Sequence, residues 1–144
     1  GQVVQVISES FADLGVEEAD GRFTSMHQLD LIPADQPPFK NGQLLNETDF
    51  SFLELPRVVG ISVNKVHGFP PSIQQMEANY PKAQVESMEG ASFFYACLMA
   101  KQPFIQLRSI SNYVEERNRE NWQLGIAVAN LNEILWEMID GFGS

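Results

Sequence analysis

Residues 85–122, VESMEGASFFYACLMAKQPFIQLRSISNYVEERNRENW, hold most of what the sequence says about the fold. The run ending at Ser87 is strand-like. Glu89 to Lys101 carries helix-tolerant apolar residues, and Pro103 ends that helix. Phe104-Ile-Gln-Leu-Arg-Ser-Ile110 is then a nearly continuous strand. A strand, helix and strand of this length predict a right-handed crossover within a parallel sheet. Ligands of such sheets sit beyond the carboxyl ends of the strands. Two polar clusters fall at strand ends here, Ser87-Met88-Glu89 and Ser109-Ile-Ser111-Asn112.

Upstream, Gln2-Val-Val-Gln-Val-Ile7 reads as a strand and Glu9 to Gly21 as an acidic solvated loop. Phe23 to Ile32 is ambiguous. Pro33 to Gly42 is an irregular loop in which Asn41-Gly42 has the residues of a hairpin turn, although its flanks alternate poorly. Pro56 to Asn64 is a second strand. Pro71 to Asn79 is a helix with proline in its first turn, with Ile73 and Met76 on one face, and Pro81 stops it. Downstream, Glu120 to Asp140 repeats Ala127, Leu131, Ile134, Leu135 and Met138 at helical spacing, and Gly141-Phe-Gly-Ser144 is its exit. The alternation predicts an α/β fold with a largely parallel sheet in one domain, residues 1–144.

Composition narrows the function. The 144 residues are 44% hydrophobic and 19% charged, as in globular proteins. The net charge of −10 repels a phosphate backbone, so nucleic acid is not an expected partner. No apolar run is long enough to span a membrane, and no signal-peptide pattern opens the chain, which leaves the cytoplasm as the default. Cys97, the single cysteine, is expected to be a buried inert thiol. His27 and His67 have no second histidine or carboxylate at ligand spacing, so no metal is expected. Phosphate loops and Ser-His-Asp or HExxH patterns are absent.

Two residues at the strand ends have chemistry to offer. Glu89 is placed where a helix dipole favours a carboxylate, and equally where one would accept hydrogen bonds from vicinal hydroxyls. Asn112 is either an ordinary turn residue or a ligand-facing carboxamide. Spacing alone points to a small-ligand site at strand ends and goes no further.

The residues Val85-Glu-Ser-Met-Glu-Gly-Ala91, Pro103-Phe and Arg108-Ser-Ile-Ser-Asn112 resemble the nucleoside phosphorylase superfamily. Its nucleosidase branch, acting on methylthioadenosine and adenosylhomocysteine, has a Met-Glu pair followed by Arg-x-Ile-Ser-Asp. Asn112 stands where that branch has aspartate. The continuation to Trp122, with Val63-Asn-Lys-Val-His-Gly68 upstream, closely resembles the futalosine hydrolases, which release hypoxanthine from futalosine on the alternative route to menaquinone. Gly1-Gln-Val-Val and Phe11-Ala-Asp-Leu-Gly-Val16 fit the same family.

The resemblance implies a three-layer α/β fold with a mostly parallel twisted sheet flanked by helices, lacking its N-terminal strands. It implies a nucleosidase without metal or organic cofactor, acting on a small nucleoside as a homodimer or higher homo-oligomer. Glu89 would bind the ribose hydroxyls, Met88 would pack on the ribose, and Ser111 would orient Asn112. Asn64 and Val66 would lie in the base-stacking segment. Asparagine in place of aspartate suits a 6-oxopurine: a carboxamide donates to the oxygen at position 6, which an ionised aspartate would repel. The superfamily's water-activating glutamate and phosphate-binding loops precede the position matching Gly1. The preferred reading is therefore the C-terminal portion of such an enzyme. The rivals are a 6-oxopurine nucleoside phosphorylase and a non-catalytic purine-binding or dimerising fragment.

Overall fold

The structure, a computed structural model, describes residues 1–49 and 51–142. Its sheet is organised around β1 (Val3–Phe11), a nine-residue strand. Val3, Val4, Gln5, Val6, Ser8, Glu9 and Ser10 are all buried, as expected of a strand covered on both faces. β1 therefore runs four residues past Ile7 and takes Glu9 out of the predicted acidic loop. On one edge it pairs in parallel with β5 (Arg57–Ser62), which pairs in parallel with β6 (Val85–Ser87). Along its other edge run two antiparallel partners, β4 (Leu44–Leu45) and β7 (Gln106–Ser109). The register of β1 against β5 slips between Val6 and Ser8. The first half of β1 meets β7 and the second half meets β4.

The predicted parallel crossover from β6 to β7 is corrected by this topology. β7 lies antiparallel to β1, on the far side of β1 from β6, with Ser109 opposite Val3. The helix between them, α2 (Gly90–Met99), covers the sheet rather than linking parallel neighbours. Phe94, fully buried, is its anchor. It meets Phe104 edge-on at 4.7 Å, in a core with Val4, Val6, Leu44 and Val58. Burying that ring contributes roughly 2–3 kcal/mol. Cys97, expected to be buried, is half-buried at the margin of this core. The helix ends where Gln102 N–H donates to Cys97 O (2.9 Å), with Lys101 in a left-handed conformation (φ 53°), so its end is set before Pro103 is reached.

The acidic loop and the start of the ambiguous stretch after it form a small hairpin, β2 (Gly15–Glu17) against β3 (Phe23–Ser25), closed through Gly21 at φ 81°. Asn41-Gly42 does form a tight turn: both residues have positive φ, and Lys40 bridges Gln43. The poor alternation of the flanks explains why the ladder stops at that single bridge. α1 (Pro70–Asn79) places Ile73 and Met76 inward, and Met76 packs on a second cluster of Ala12, Ile61 and Val63. The last helix, α3 (Leu124–Phe142), starts four residues later than expected because residues 119–121 form a separate 3-10 turn. It rests on β7 and β1 through buried Ala127, and Asn130 Nδ2 donates to Gly1 O at 2.7 Å. Among the described residues no helix is long and apolar enough to cross a membrane.

Candidate active site

The first polar cluster is a closed network beneath the start of α2. Glu9, 1% exposed, accepts from Gln106 Nε2 at 2.8 Å and from Ser62 Oγ at 3.1 Å. Ser62 Oγ in turn accepts from Ala91 N (2.7 Å), and Ser87 Oγ accepts from Gly90 N (3.2 Å). The hydroxyl proton of Ser62 is committed to Glu9, so Ser87 donates across the 3.4 Å between the two hydroxyls. Two of the helix's orphan N–H groups are thus capped by β5 and β6 rather than by the helix's own N-cap residue. That residue, Glu89, makes no side-chain capping bond.

Room for the carboxylate comes from glycine. An added Cβ would lie 2.6 Å from Glu9 Oε1 at Gly60 and 2.0 Å from it at Gly90. Burial pushes the Glu9 carboxyl above its ordinary value, against the opposing pull of its two hydrogen bonds and of the Arg108 charge. The ordered start of α2 fixes where Met88 and Glu89 emerge.

The second polar cluster lies in an open cleft of about 1010 Å³ that reaches from β7 to the end of β6. Of the predicted site residues, Met88, Ser111, Asn112 and Val66 line it. Met88 is 50% exposed and Val66 43%, so each presents an apolar face. Ser111 Oγ donates to Asn112 Oδ1 at 2.7 Å, and Asn112 Nδ2 donates to Tyr113 O at 2.9 Å. These two bonds orient the carboxamide and leave it one N–H and one acceptor position. The structure does not gather all the predicted residues. Glu89, exposed, is outside the lining, one residue from Met88, and Asn64 is turned away to Asp13 through its backbone N–H and Nδ2.

Two features of the cleft escaped the sequence. His67 Nδ1 meets Glu86 in a short hydrogen-bonding contact, and Glu86 also accepts from His67 N at 2.9 Å. His67 does have a carboxylate partner, 19 residues away and joined only by the β5–β6 pairing. The other feature is unspent hydrogen-bonding capacity: Arg108 Nε and Ser109 Oγ are buried in the lining without a partner. A separate cavity of about 440 Å³, lined by Ser10, His27, Gln43 and Tyr80 among others, holds none of the predicted residues.

Known proteins share this arrangement of strands and helices. The chain is 28% identical over 138 residues to the futalosine hydrolase of Streptomyces coelicolor, covering 96% of this chain and 57% of that protein. It is 30% identical over 135 residues to that of Acidothermus cellulolyticus, covering 91% and 54%. The chain is similar to futalosine hydrolases. It spans little more than half the length of these two relatives. No family model matches it.

Among solved structures, the 5′-methylthioadenosine/S-adenosylhomocysteine nucleosidase of Neisseria meningitidis, in complex with methylthio-immucillin-A, superposes with a TM-score of 0.68 at 16% identity. It covers 97% of this chain and 62% of that one. The Helicobacter pylori enzyme with butyl-thio-DADMe-Immucillin-A gives 0.70 at 15% identity, covering 97% and 60%. The fold is theirs: mixed α/β with a parallel centre, helices packed on the sheet, and β4 and β7 as its antiparallel members. In sequence the likeness runs to the futalosine hydrolases, and it extends over the closed network and the open cleft alike.

Proposed function

We propose that this chain supplies the base and ribose side of an N-ribosyl hydrolase that cleaves futalosine and releases hypoxanthine. The observation that carries this reading is the oriented carboxamide of Asn112 on the wall of the cleft. Its free N–H suits the oxygen at position 6 of a 6-oxopurine, and its remaining acceptor position suits a protonated N7. The similarity to futalosine hydrolases supports the same substrate. Met88 packs on the sugar, and Glu89 beside it accepts from the ribose hydroxyls. As the glycosidic bond breaks, the sugar becomes cationic, and a carboxylate held nearby stabilises that charge. Water adds to C1′ as the glycosidic bond breaks, the proton it gives up ends on the departing hypoxanthine, and Asn112 Oδ1 accepts from the resulting N7–H. The assembly is a homodimer or higher homo-oligomer.

A thermal-shift titration with hypoxanthine and with adenine tests the base assignment, since a ligand of the folded state alone raises apparent stability. Hypoxanthine is expected to shift the transition and adenine not. Asn112→Asp is expected to weaken hypoxanthine roughly tenfold or more, as a paired polar group becomes repulsive, with little change in stability. Preference for adenine, or no response to either base, would overturn the reading for this chain. Release of hypoxanthine from futalosine that required phosphate would replace the hydrolase with a phosphorylase.

A further inference from the structure

We infer that His67 is a specificity residue, whose Nε2 accepts a hydrogen bond from N1–H of the 6-oxopurine while Glu86 holds the ring in the tautomer that permits it. This rests on the 6-oxopurine reading and adds a second reader to Asn112. A carboxylate accepts and does not donate, so the proton between His67 and Glu86 sits on Nδ1. In the neutral ring Nε2 is then left as a lone-pair acceptor. No hydrogen bond reaches Nε2 among the described residues, and the side chain, 16% exposed, lines the cleft. Glu86, 4% exposed, spends one oxygen on Nδ1 and the other on His67 N–H, which fixes both ring and backbone. Such a pair does for a base reader what an outer partner does for a ligating histidine: it sets which nitrogen faces the ligand.

The loop that carries His67 is docked on the loop that carries Asn112. Arg117 N–H donates to Gly68 O at 3.2 Å, and a Cβ on Gly68 would come within 3.1 Å of Arg117 Cβ, so the two loops approach closely at this glycine. His67 and Asn112 are therefore presented to one cleft from two joined loops, with Val66 supplying an apolar surface beside them. A 6-oxopurine displays an N–H at N1 next to the oxygen at position 6. An acceptor and a donor on adjoining loops match that pair. Adenine displays the opposite pattern, a bare N1 beside an amino group, and places a lone pair against the lone pair of Nε2. The arrangement thus attracts one base and repels the other.

The test is a binding cycle on this chain with hypoxanthine and 1-methylhypoxanthine, for the parent and for His67→Gln and His67→Ala. The parent is expected to lose roughly tenfold or more in affinity when N1 is methylated, because the base loses its donor. His67→Ala is expected to bind hypoxanthine about tenfold more weakly and to discriminate between the two bases by no more than about threefold. His67→Gln, whose amide N–H can donate to Glu86 while its oxygen still accepts from N1–H, guards against loss of the fold and is expected to discriminate between the two bases better than His67→Ala.

Equal binding of both bases by the parent would overturn this inference while leaving the 6-oxopurine reading in place. So would a methyl penalty that survives in His67→Ala. If His67→Ala bound hypoxanthine as well as the parent, methylation would be sensing bulk alone, and the inference would likewise fall. Preference of the parent for adenine would remove the reading and the inference together.

Discussion

The two polar clusters of this protein contain similar side chains and use them in opposite ways. Beneath α2, Glu9, Ser62 and Ser87 turn their hydrogen bonds on one another and on the helix start, and all three are buried. In the cleft, Ser111 and Asn112 satisfy part of their capacity and leave the rest facing the open space. A buried network whose bonds are spent almost wholly on itself, Gln106 Oε1 being its exception, specifies a structure, because each missing partner strands another buried group. A network with capacity left over specifies a ligand. Function is accordingly to be sought where the bonds are incomplete, and the closed cluster earns its place by fixing the backbone from which Met88 and Glu89 emerge.

The strongest way to break the contrast is to crowd the closed cluster. Gly90→Ala would put a methyl group 2.0 Å from Glu9 Oε1 and 2.8 Å from Ser87 Oγ. Neither group has free space to retreat into, and the change is expected to cost about 3 kcal/mol in urea unfolding. A loss below roughly 0.5 kcal/mol, the range of ordinary surface substitutions, would show that the cluster is looser than its geometry implies.

A matched pair of serine deletions then sharpens the comparison. Ser62→Ala strands the Ala91 N–H and one oxygen of Glu9, for an expected loss of about 2 kcal/mol. Ser111→Ala removes the same atom from the open cluster. It is expected to change stability by less than about 0.5 kcal/mol while weakening hypoxanthine binding, because Asn112 loses the bond that orients it. The same two measurements, unfolding and purine binding, are made on both variants. If the two variants lost equal stability, the distinction between structural and ligand-facing clusters would fail.

How far the sequence reveals this depends on the range of the interactions. Val85–Ser87 and α2 are local matters of propensity and are legible, although the helix ends at Met99, two residues before the expected Lys101 and ahead of Pro103. Ser87, Met88, Ser111 and Asn112 stand out because they sit where elements change type. The direction of β7 is not legible, since a short strand such as Gln106–Ser109 pairs either way and the choice is made by β1, some hundred residues upstream. Glu9 is hidden for a related reason. An acidic residue beside Asp13 and Glu17 looks solvated until Gly60, Gly90 and Gln106 converge on it. The pairing of His67 with Glu86 needs the alignment of two strands before it exists at all. The resemblance to nucleosidases singles out Met88, Ser111 and Asn112, but it does not supply the partners that hold them or the pair beside them.

The smallest expected effect tests the closed cluster through its charge. Burial, the dominant influence on Glu9, holds its carboxyl above the ordinary 4.5 in the folded protein. Between 4.5 and the raised value the folded chain keeps a proton that the unfolded chain has released. Stability from this group is therefore full below the ordinary value and is lost as pH rises through the raised one. Glu9→Gln has nothing to titrate there, so it lacks that slope. Unfolding midpoints of parent and variant, compared from about pH 4 to about pH 8, should show the parent losing ground to the variant as pH rises. Parallel curves would mean that Gln106, Ser62 and Arg108 fully offset the burial of the carboxylate. A parent that gained on the variant with rising pH would mean that they overcome it, and the closed cluster would then be an anion site rather than a sealed structural one.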